Sequence, residues 1–301
     1  MDRAGLGLEG AERSYRPRSQ ELDIYVKLLR PQEIPRVVAE NLYDLGVTGL
    51  DWVVETSADV EVLQDLAYGK GKLVLAVDKS NTDVTNFEEL LAKTLSSRGK
   101  LKISTEYLNI ASNWIFSTRA YESTFGSMKP TVVTPWWVTG DNRRVSIFLS
   151  FGATEAKPPE EADAIIDLTS TGTTLEQNNL KPIEVIMDTS AQLIANKGSL
   201  QDPEKRESIL DILSLLRGVV DGKRKLHIFI NVREENLKRL IEELPALRSP
   251  TISPLSEKGW YAVNTVIDRE TFLKVLPVLR KFAQGLVVHE PKQVLSLDEI
   301  R

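Results

Sequence analysis

The sequence predicts an α/β protein with a separate C-terminal domain, and three observations predict it. Apolar runs of strand length alternate with amphipathic segments from about residue 23 to residue 196. A long segment at 202–225 then opens on Asp202 and Pro203, a cap and a first helical position, and ends in basic residues and glycines that read as a boundary. The remainder follows a βαββαβ order, the split-βαβ or ferredoxin-like pattern. A chain of 301 residues with 42% apolar and 27% charged content suits about two domains with sizeable cores.

In chain order, DIYVKLLR (23–30) predicts a strand by its β-branched, apolar content. PQEIPRVVAENLYDLG predicts a short helix with Pro35 in its first turn and Gly46 at its end. VTGLDWVV reads as a loop or short strand. KLVLAVD (72–78) is a continuous apolar run, as in a strand covered on both faces. VTNFEELLAKTL predicts a helix, with Thr85 and Glu88 at capping-box spacing. A strand (LKISTEY), a helix (107–117), two strands (KPTVVTPW, RRVSIFLSF) and a further strand (ADAIIDL, 162–168) follow. A short helical segment, TLEQNNL, precedes one strand over 183–196. The C-terminal pattern is LHIFINV (β), ENLKRLIEELP (α), SPTISPL (β), GWYAVNTVI (β), RETFLKVLPVLRKF (α) and GLVVHEPKQVL (β).

Composition narrows the chemistry. There is no cysteine, and the two histidines are His227 and His289. Thiolate catalysis, disulfides and Cys/His zinc sites are excluded, as is any triad that needs a His beside its nucleophile unless His227 or His289 supplies it. A net charge of −5 argues against a broad nucleic-acid surface. No run reaches the ~20 apolar residues of a membrane span, and MDRAGLGLEGAERSYRPR has no apolar signal core. The expected location is the cytoplasm.

The most informative stretch is IIDLTSTGTTLEQN. An apolar strand ends at Asp167, and Thr169, Ser170, Thr171, Gly172, Thr173 and Thr174 lead into a helical segment. Gly172 permits positive φ, so successive amides can converge on an anion, and the hydroxyls add rotatable donors. Asp167 repels phosphate but can accept hydrogen bonds from ribose hydroxyls. A Thr/Ser-rich turn that caps a helix and holds no ligand has the same local pattern, and the pattern leaves both open. The loop is neither a Walker A motif nor a dinucleotide fingerprint, since no Gly-Lys-Ser/Thr follows and Gly172 stands alone.

DLTSTGTTLEQNNL (167–180) resembles the phosphoribosyl-pyrophosphate loop of the ATP phosphoribosyltransferase family. So do LRPQEIPRVVAENLYDLGVTGLDWV (29–53), LAYGKGKLVLAV (66–77), KISTEYLNIA (102–111) and FGATEAKPPEEADAIIDLTSTGTTL (151–175), in the family's order. SPTISPLSEKGWYAV (249–263) resembles the regulatory domain carried by the long form. The resemblance implies a bilobal, periplasmic-binding-protein-like catalytic region and an ACT-like domain. Lobe I would be 1–77 with 180–200, lobe II 78–179, a linker helix 201–221 and the regulatory domain 222–301. It further implies transfer of phosphoribosyl to N1 of ATP with loss of pyrophosphate, the first step of histidine biosynthesis, inhibited by histidine. Magnesium would accompany the diphosphate, and the chain would form a homo-hexamer. Asp167, Thr169, Ser170, Thr171, Gly172, Thr173 and Thr174 would hold the ribose and its 5′-phosphate. No protein nucleophile is needed.

Other positions have two readings each. Arg30, Tyr107 and Glu155 are candidates for the substrate cleft; a solvated Arg, a core Tyr and a surface-loop Glu are the plainer readings. Asn109 matches the family's strand-to-helix motif. Arg16 and Arg18 lie in a charged N-terminal stretch, where solvation is the plainer reading. Trp136 and Trp137, if on a strand, point to opposite faces, so at least one is expected in the core; stacking on adenine is the minor reading. Asn231, Leu247 and Thr251 fall where the family binds histidine, although an ammonium group would prefer a carboxylate to Asn231. His227 is expected as a satisfied core or interface residue, and His289 as exposed.

The family's opening strand and its Lys-Gly-Arg-Leu turn have no counterpart in MDRAGLGLEG, which reads as starting inside or after the first helix. Loss of a central strand would expose two edges. Two expectations follow: a start upstream of Met1, or a non-catalytic bilobal ligand-binding subunit with an amino-acid-sensing C-terminal domain.

Overall fold

The computed structural model describes residues 2–10, 14–19, 23–244 and 250–295. The chain forms two compact units, Arg30–Gln201 and Met1–Leu29 with Asp202–Arg301.

Within Arg30–Gln201 the larger sheet has seven strands. Their order is Leu180–Thr189, Gly71–Asp78, Ala164–Thr169, Leu101–Thr105, Asn142–Leu149, Pro130–Val133 and Val138–Thr139. The middle four, from Ala164–Thr169 to Pro130–Val133, are mutually parallel. Their C-termini therefore emerge at one edge. The apolar run at 71–78 is covered on both faces: Leu73, Leu75 and Val77 join Ile103, Ile147 and Ile166 in one cluster, while Val74 and Ala76 join Ile165, Leu175 and Leu180 in another. Helix Phe87–Arg98 packs Phe87, Leu90 and Leu91 on the first cluster. Its cap lies one residue beyond the expected pair: Asn86 Oδ1 accepts from the Glu89 amide at 2.9 Å, and Glu89 Oε2 accepts from the Thr85 amide at 2.7 Å.

The smaller sheet is antiparallel, in the order Leu45–Gly49, Ala191–Asn196, Val60–Asp65. The strand expected over 183–196 is thus two strands in different sheets, parted at Ser190, whose hydroxyl turns aside to Asp65 Oδ1 at 2.8 Å. The expected lobe boundary also moves. Residues 71–77 and 180–189, assigned from sequence to the first lobe, both pair in the seven-stranded sheet, because their apolar faces close its two clusters. The loop or strand expected at 47–54 ends at Gly49 and continues as helix Leu50–Thr56, and a helix at Arg119–Phe125 was not foreseen.

In the other unit, the strand expected over 23–30 joins no sheet among the described residues: Tyr25 bridges Arg18, the Leu28 amide donates to the Tyr15 carbonyl at 2.8 Å, and Tyr25 is exposed. The helix foreseen over 202–225 is Pro203–Arg224, with Asp202 accepting from the amides of Glu204 and Lys205 at 3.0 and 3.1 Å. Gly218 and Gly222 lie inside this helix and do not end it. A Cβ on Gly218 would stand 2.8 Å from Leu295 Cδ2, and one on Gly222 3.1 Å from the Lys292 carbonyl oxygen, so they admit residues 291–295 close to the helix. The C-terminal sheet is antiparallel, ordered Thr251–Pro254, Trp260–Asp268, Lys225–Arg233, Ala283–His289, which is the ferredoxin-like order. Helices Glu234–Glu243 and Arg269–Phe282 cover one face through Leu240, Val275 and Leu279 on Ile228, Ile230 and Val263. No helix among the described residues is long and apolar enough to cross a membrane.

Candidate functional site

Open α/β sheets place ligands outside the carboxyl ends of their parallel strands. Four chain segments leave that edge here: Glu106 and Tyr107 after Leu101–Thr105, Phe151 to Glu155 after Asn142–Leu149, Ser170 to Thr174 after Ala164–Thr169, and Thr134 to Trp137 after Pro130–Val133. The third is the sequence-predicted loop. Ser170, Thr171, Thr173 and Thr174 are exposed, and Thr169 and Gly172 half-buried. Gly172 adopts φ 79° and ψ −5°, left-handed backbone that disfavours side chains, and a Cβ there would meet nothing within 4 Å. The chain then enters helix Thr173–Gln177. The hydroxyls order the bend: Thr169 Oγ1 accepts from the Gly172 amide at 2.9 Å, and Thr171 and Thr173 hydroxyls lie 2.9 Å apart. The bend faces solvent and is not packed into the core.

Asp167 ends the buried part of its strand. Burial pushes its carboxyl up to about 6; the Leu168 amide, donating at 2.7 Å, opposes this, and Glu155 and Glu106 add to it through like-charge repulsion. Glu155 thus lies within electrostatic reach of Asp167. Glu155 sits half-buried in the 3₁₀ turn Thr154–Ala156.

Tyr107 is 4% exposed and stacks on Trp52 at 4.5 Å between ring centroids. Its hydroxyl donates to Asp51 Oδ2 at 2.8 Å, and Thr189 Oγ1 donates to Asp51 Oδ1 at 2.8 Å. Burial and then the Asp51 charge raise the phenol far above its ordinary value, so Tyr107 is a fixed donor. One turn along helix Leu50–Thr56, buried Glu55 accepts from the amides of Asn109 and Ile110, each at 2.9 Å, and Asn109 Nδ2 donates to the Glu55 carbonyl at 2.9 Å. Asp51 and Glu55 were not singled out from sequence. Two carboxylates four residues apart inside LDWVVET were the available signal.

Arg30 is exposed, its carbonyl accepting from the Glu33 amide at 3.0 Å just ahead of helix Ile34–Ala39. Arg16 and Arg18 are exposed in the other unit. The expectation that one of Trp136 and Trp137 is core is overturned: both are exposed, because they lie in a turn between strands where alternation does not apply.

On the C-terminal sheet, Asn231 and Thr251 are exposed, and the register puts both on the helix-free face: Asn231 lies opposite Ala262 and Gly285, and Thr251 opposite Asn264. Leu247 lies outside the described residues. His227, half-buried on the same face, bonds Asn264 Oδ1 and packs on Phe229, and His289 is exposed.

The chain matches a family model described as ATP phosphoribosyltransferase over residues 30–218 and one for the C-terminal domain of the same family over 223–290. A curated ATP phosphoribosyltransferase from Solibacter usitatus is 35% identical over 98% of this chain and 93% of its own length. One from Chlorobaculum parvum is 34% identical over 97% and 91%. A solved chain of the ATP phosphoribosyl transferase (HisG:HisZ) complex from Thermotoga maritima superimposes with a TM-score of 0.53 at 22% identity, over 73% of this chain and 90% of that one.

Proposed function

The chain belongs to the ATP phosphoribosyltransferase family of histidine biosynthesis and carries its C-terminal domain, and from that premise we propose which of its residues perform the transfer. The 167–174 loop holds the ribose 5-phosphate end of phosphoribosyl pyrophosphate. Main-chain amides around Gly172 and the Thr and Ser hydroxyls donate to the phosphate, and Asp167 accepts from ribose hydroxyls. Adenine N1 of ATP then forms a bond to the anomeric carbon as the bond to pyrophosphate breaks, and pyrophosphate leaves with the electron pair. Catalysis is positioning and charge stabilisation, without a protein nucleophile. The observation that supports this most is a solvent-facing bend with left-handed Gly172 at the carboxyl edge of the parallel strands.

Magnesium suits this edge without a protein cage, since it binds through one or two carboxylates plus substrate phosphates. Among the described residues no three ligand-type side chains converge, while Asp167 and Glu155 stand within electrostatic reach of each other. When bound, magnesium neutralises charge on the departing pyrophosphate.

Mixing the chain with ATP, phosphoribosyl pyrophosphate and magnesium is expected to release pyrophosphate in step with an absorbing N1-adduct; folded protein that releases none contradicts the reading. A pH series tests Asp167. Its ionised form is the better acceptor, so affinity for phosphoribosyl pyrophosphate falls as pH drops through about 6. Asp167→Asn is weaker at neutral pH and lacks that component of the fall. An unchanged profile removes Asp167 from the ribose site.

In the same reading histidine binds the helix-free face of the C-terminal sheet at Asn231 and Thr251, with Leu247 completing the set, and the chain works in the cytoplasm as a homo-hexamer. Asn231→Ala raises the histidine concentration for half-inhibition by roughly tenfold, the loss of one or two hydrogen bonds, with turnover unchanged. Unaltered inhibition moves the inhibitor elsewhere.

A further inference from the structure

Trp136 leaves 72% of its surface in solvent and Phe151 71%, and their rings meet edge-on at 5.9 Å. Neither is on a loose segment. Thr134, 8% exposed, accepts through Oγ1 from the amides of Trp136 and Trp137 at 3.3 and 3.0 Å. It donates from the same hydroxyl and from its own amide to the Trp137 carbonyl, at 3.0 and 2.9 Å. Phe151 follows Ser150, whose amide donates to the Thr105 carbonyl at 2.9 Å and whose hydroxyl donates to the Gly152 carbonyl at 3.1 Å. Gly152 and Ala153 then take φ of 90° and 49°, two left-handed residues in succession that lead into the 3₁₀ turn carrying Glu155, which lies within electrostatic reach of Asp167. Two ordered, solvent-facing aromatic rings thus stand on the same carboxyl edge as the phosphate loop.

We propose that Trp136, steadied edge-on by Phe151, is a stacking platform for the purine base of the nucleotide substrate. A hydrogen-bonded turn holds this indole out of the core with its flat face open, and a purine is the part of the nucleotide that stacks on such a face. Stacking engages the face of the base and leaves its ring edge free. The reaction requires that freedom, because N1 must reach the anomeric carbon. The proposal rests on the transferase reading above and goes beyond it by assigning the base subsite.

The test measures equilibrium binding of ATP and, separately, of phosphoribosyl pyrophosphate to the full chain and to Trp136→Ala, Trp136→Phe and Phe151→Ala, with magnesium throughout. Trp136→Ala weakens ATP roughly ten- to a hundred-fold, the size of one base–aromatic stack. Trp136→Phe recovers most of that, and phosphoribosyl pyrophosphate binding stays within twofold in every variant. ATP quenches tryptophan fluorescence in the parent, and Trp136→Phe removes the quenched component. ATP affinity within twofold of the parent in Trp136→Ala overturns the platform. So does an equal loss for both ligands, and so does a changed oligomeric state with ATP affinity intact, which makes the pair a contact between copies. A parent that binds ATP with this quenching but not phosphoribosyl pyrophosphate refutes the loop reading and leaves the platform standing, so the two fail separately.

Discussion

Gly172→Val loses phosphoribosyl pyrophosphate binding by at least a hundredfold and stays folded. The residue is left-handed, so any side chain there costs about 1–2 kcal/mol of backbone strain. Nothing in the protein lies within 4 Å of the added Cβ, so no clash is superposed on that strain. Circular dichroism should be unchanged, and the melting temperature should drop by a few degrees. The isopropyl group instead occupies the space in front of the bend, where phosphate oxygens would approach the amides. Gly172→Ala separates strain from obstruction: it carries similar backbone strain with a smaller obstruction, and should retain more affinity. Calorimetric titration of both variants decides it. A valine variant that binds within fivefold of the parent shows that the bend is not the cradle.

Glu55→Ala lowers unfolding free energy by about 3 kcal/mol, the cost of stranding two buried donors. Helix Leu108–Ser117 has no side-chain cap from Tyr107 at its N-cap, and the Glu55 carboxylate takes that place from another helix, accepting from Asn109 and Ile110. Glu55→Gln keeps an acceptor and should cost about half as much or less. Burial outweighs the amide bonds and raises the Glu55 carboxyl. The folded state therefore holds that proton more tightly than the unfolded chain does. The corresponding stability is present below the ordinary value of 4.5 and is lost as pH rises through the raised one. Urea denaturation across that interval should show the decline in the parent and a flatter profile in Glu55→Gln. A Glu55→Ala variant as stable as the parent would mean that the helix start is capped in another way. Because the same helix follows Glu106 and Tyr107, its loosening also displaces a charge that acts on Asp167.

Much of this was legible in local pattern. Asp202 and Pro203 mark the start of the long helix. The C-terminal βαββαβ order follows from apolar runs, because Lys225–Arg233, Trp260–Asp268 and Ala283–His289 each turn apolar residues toward the helices. The Thr/Ser/Gly bend declared itself because its glycine and its hydroxyls stand together in sequence. What pattern missed depends on partners distant in sequence. Residues 23–30 have strand composition but join no sheet among the described residues. The run 183–196 reads as one strand because both halves are apolar; only the pairings of Thr189 with Gly71 and of Ala191 with Gly49 show that it changes sheets. Asp51 and Glu55 gain meaning from Tyr107, Thr189 and Asn109, which lie far away along the chain. Trp136 and Trp137 were assigned by strand alternation that a turn does not obey.

The account rests on the bend from Asp167 to Thr174 gripping a sugar phosphate. A crystal structure of the chain with phosphoribosyl pyrophosphate and magnesium tests this most directly. The 5′-phosphate oxygens should lie within about 3.2 Å of main-chain nitrogens and hydroxyls between Thr169 and Thr174, with Asp167 against the ribose hydroxyls. Well-defined density for the diphosphate elsewhere, with those amides still facing solvent, would contradict it.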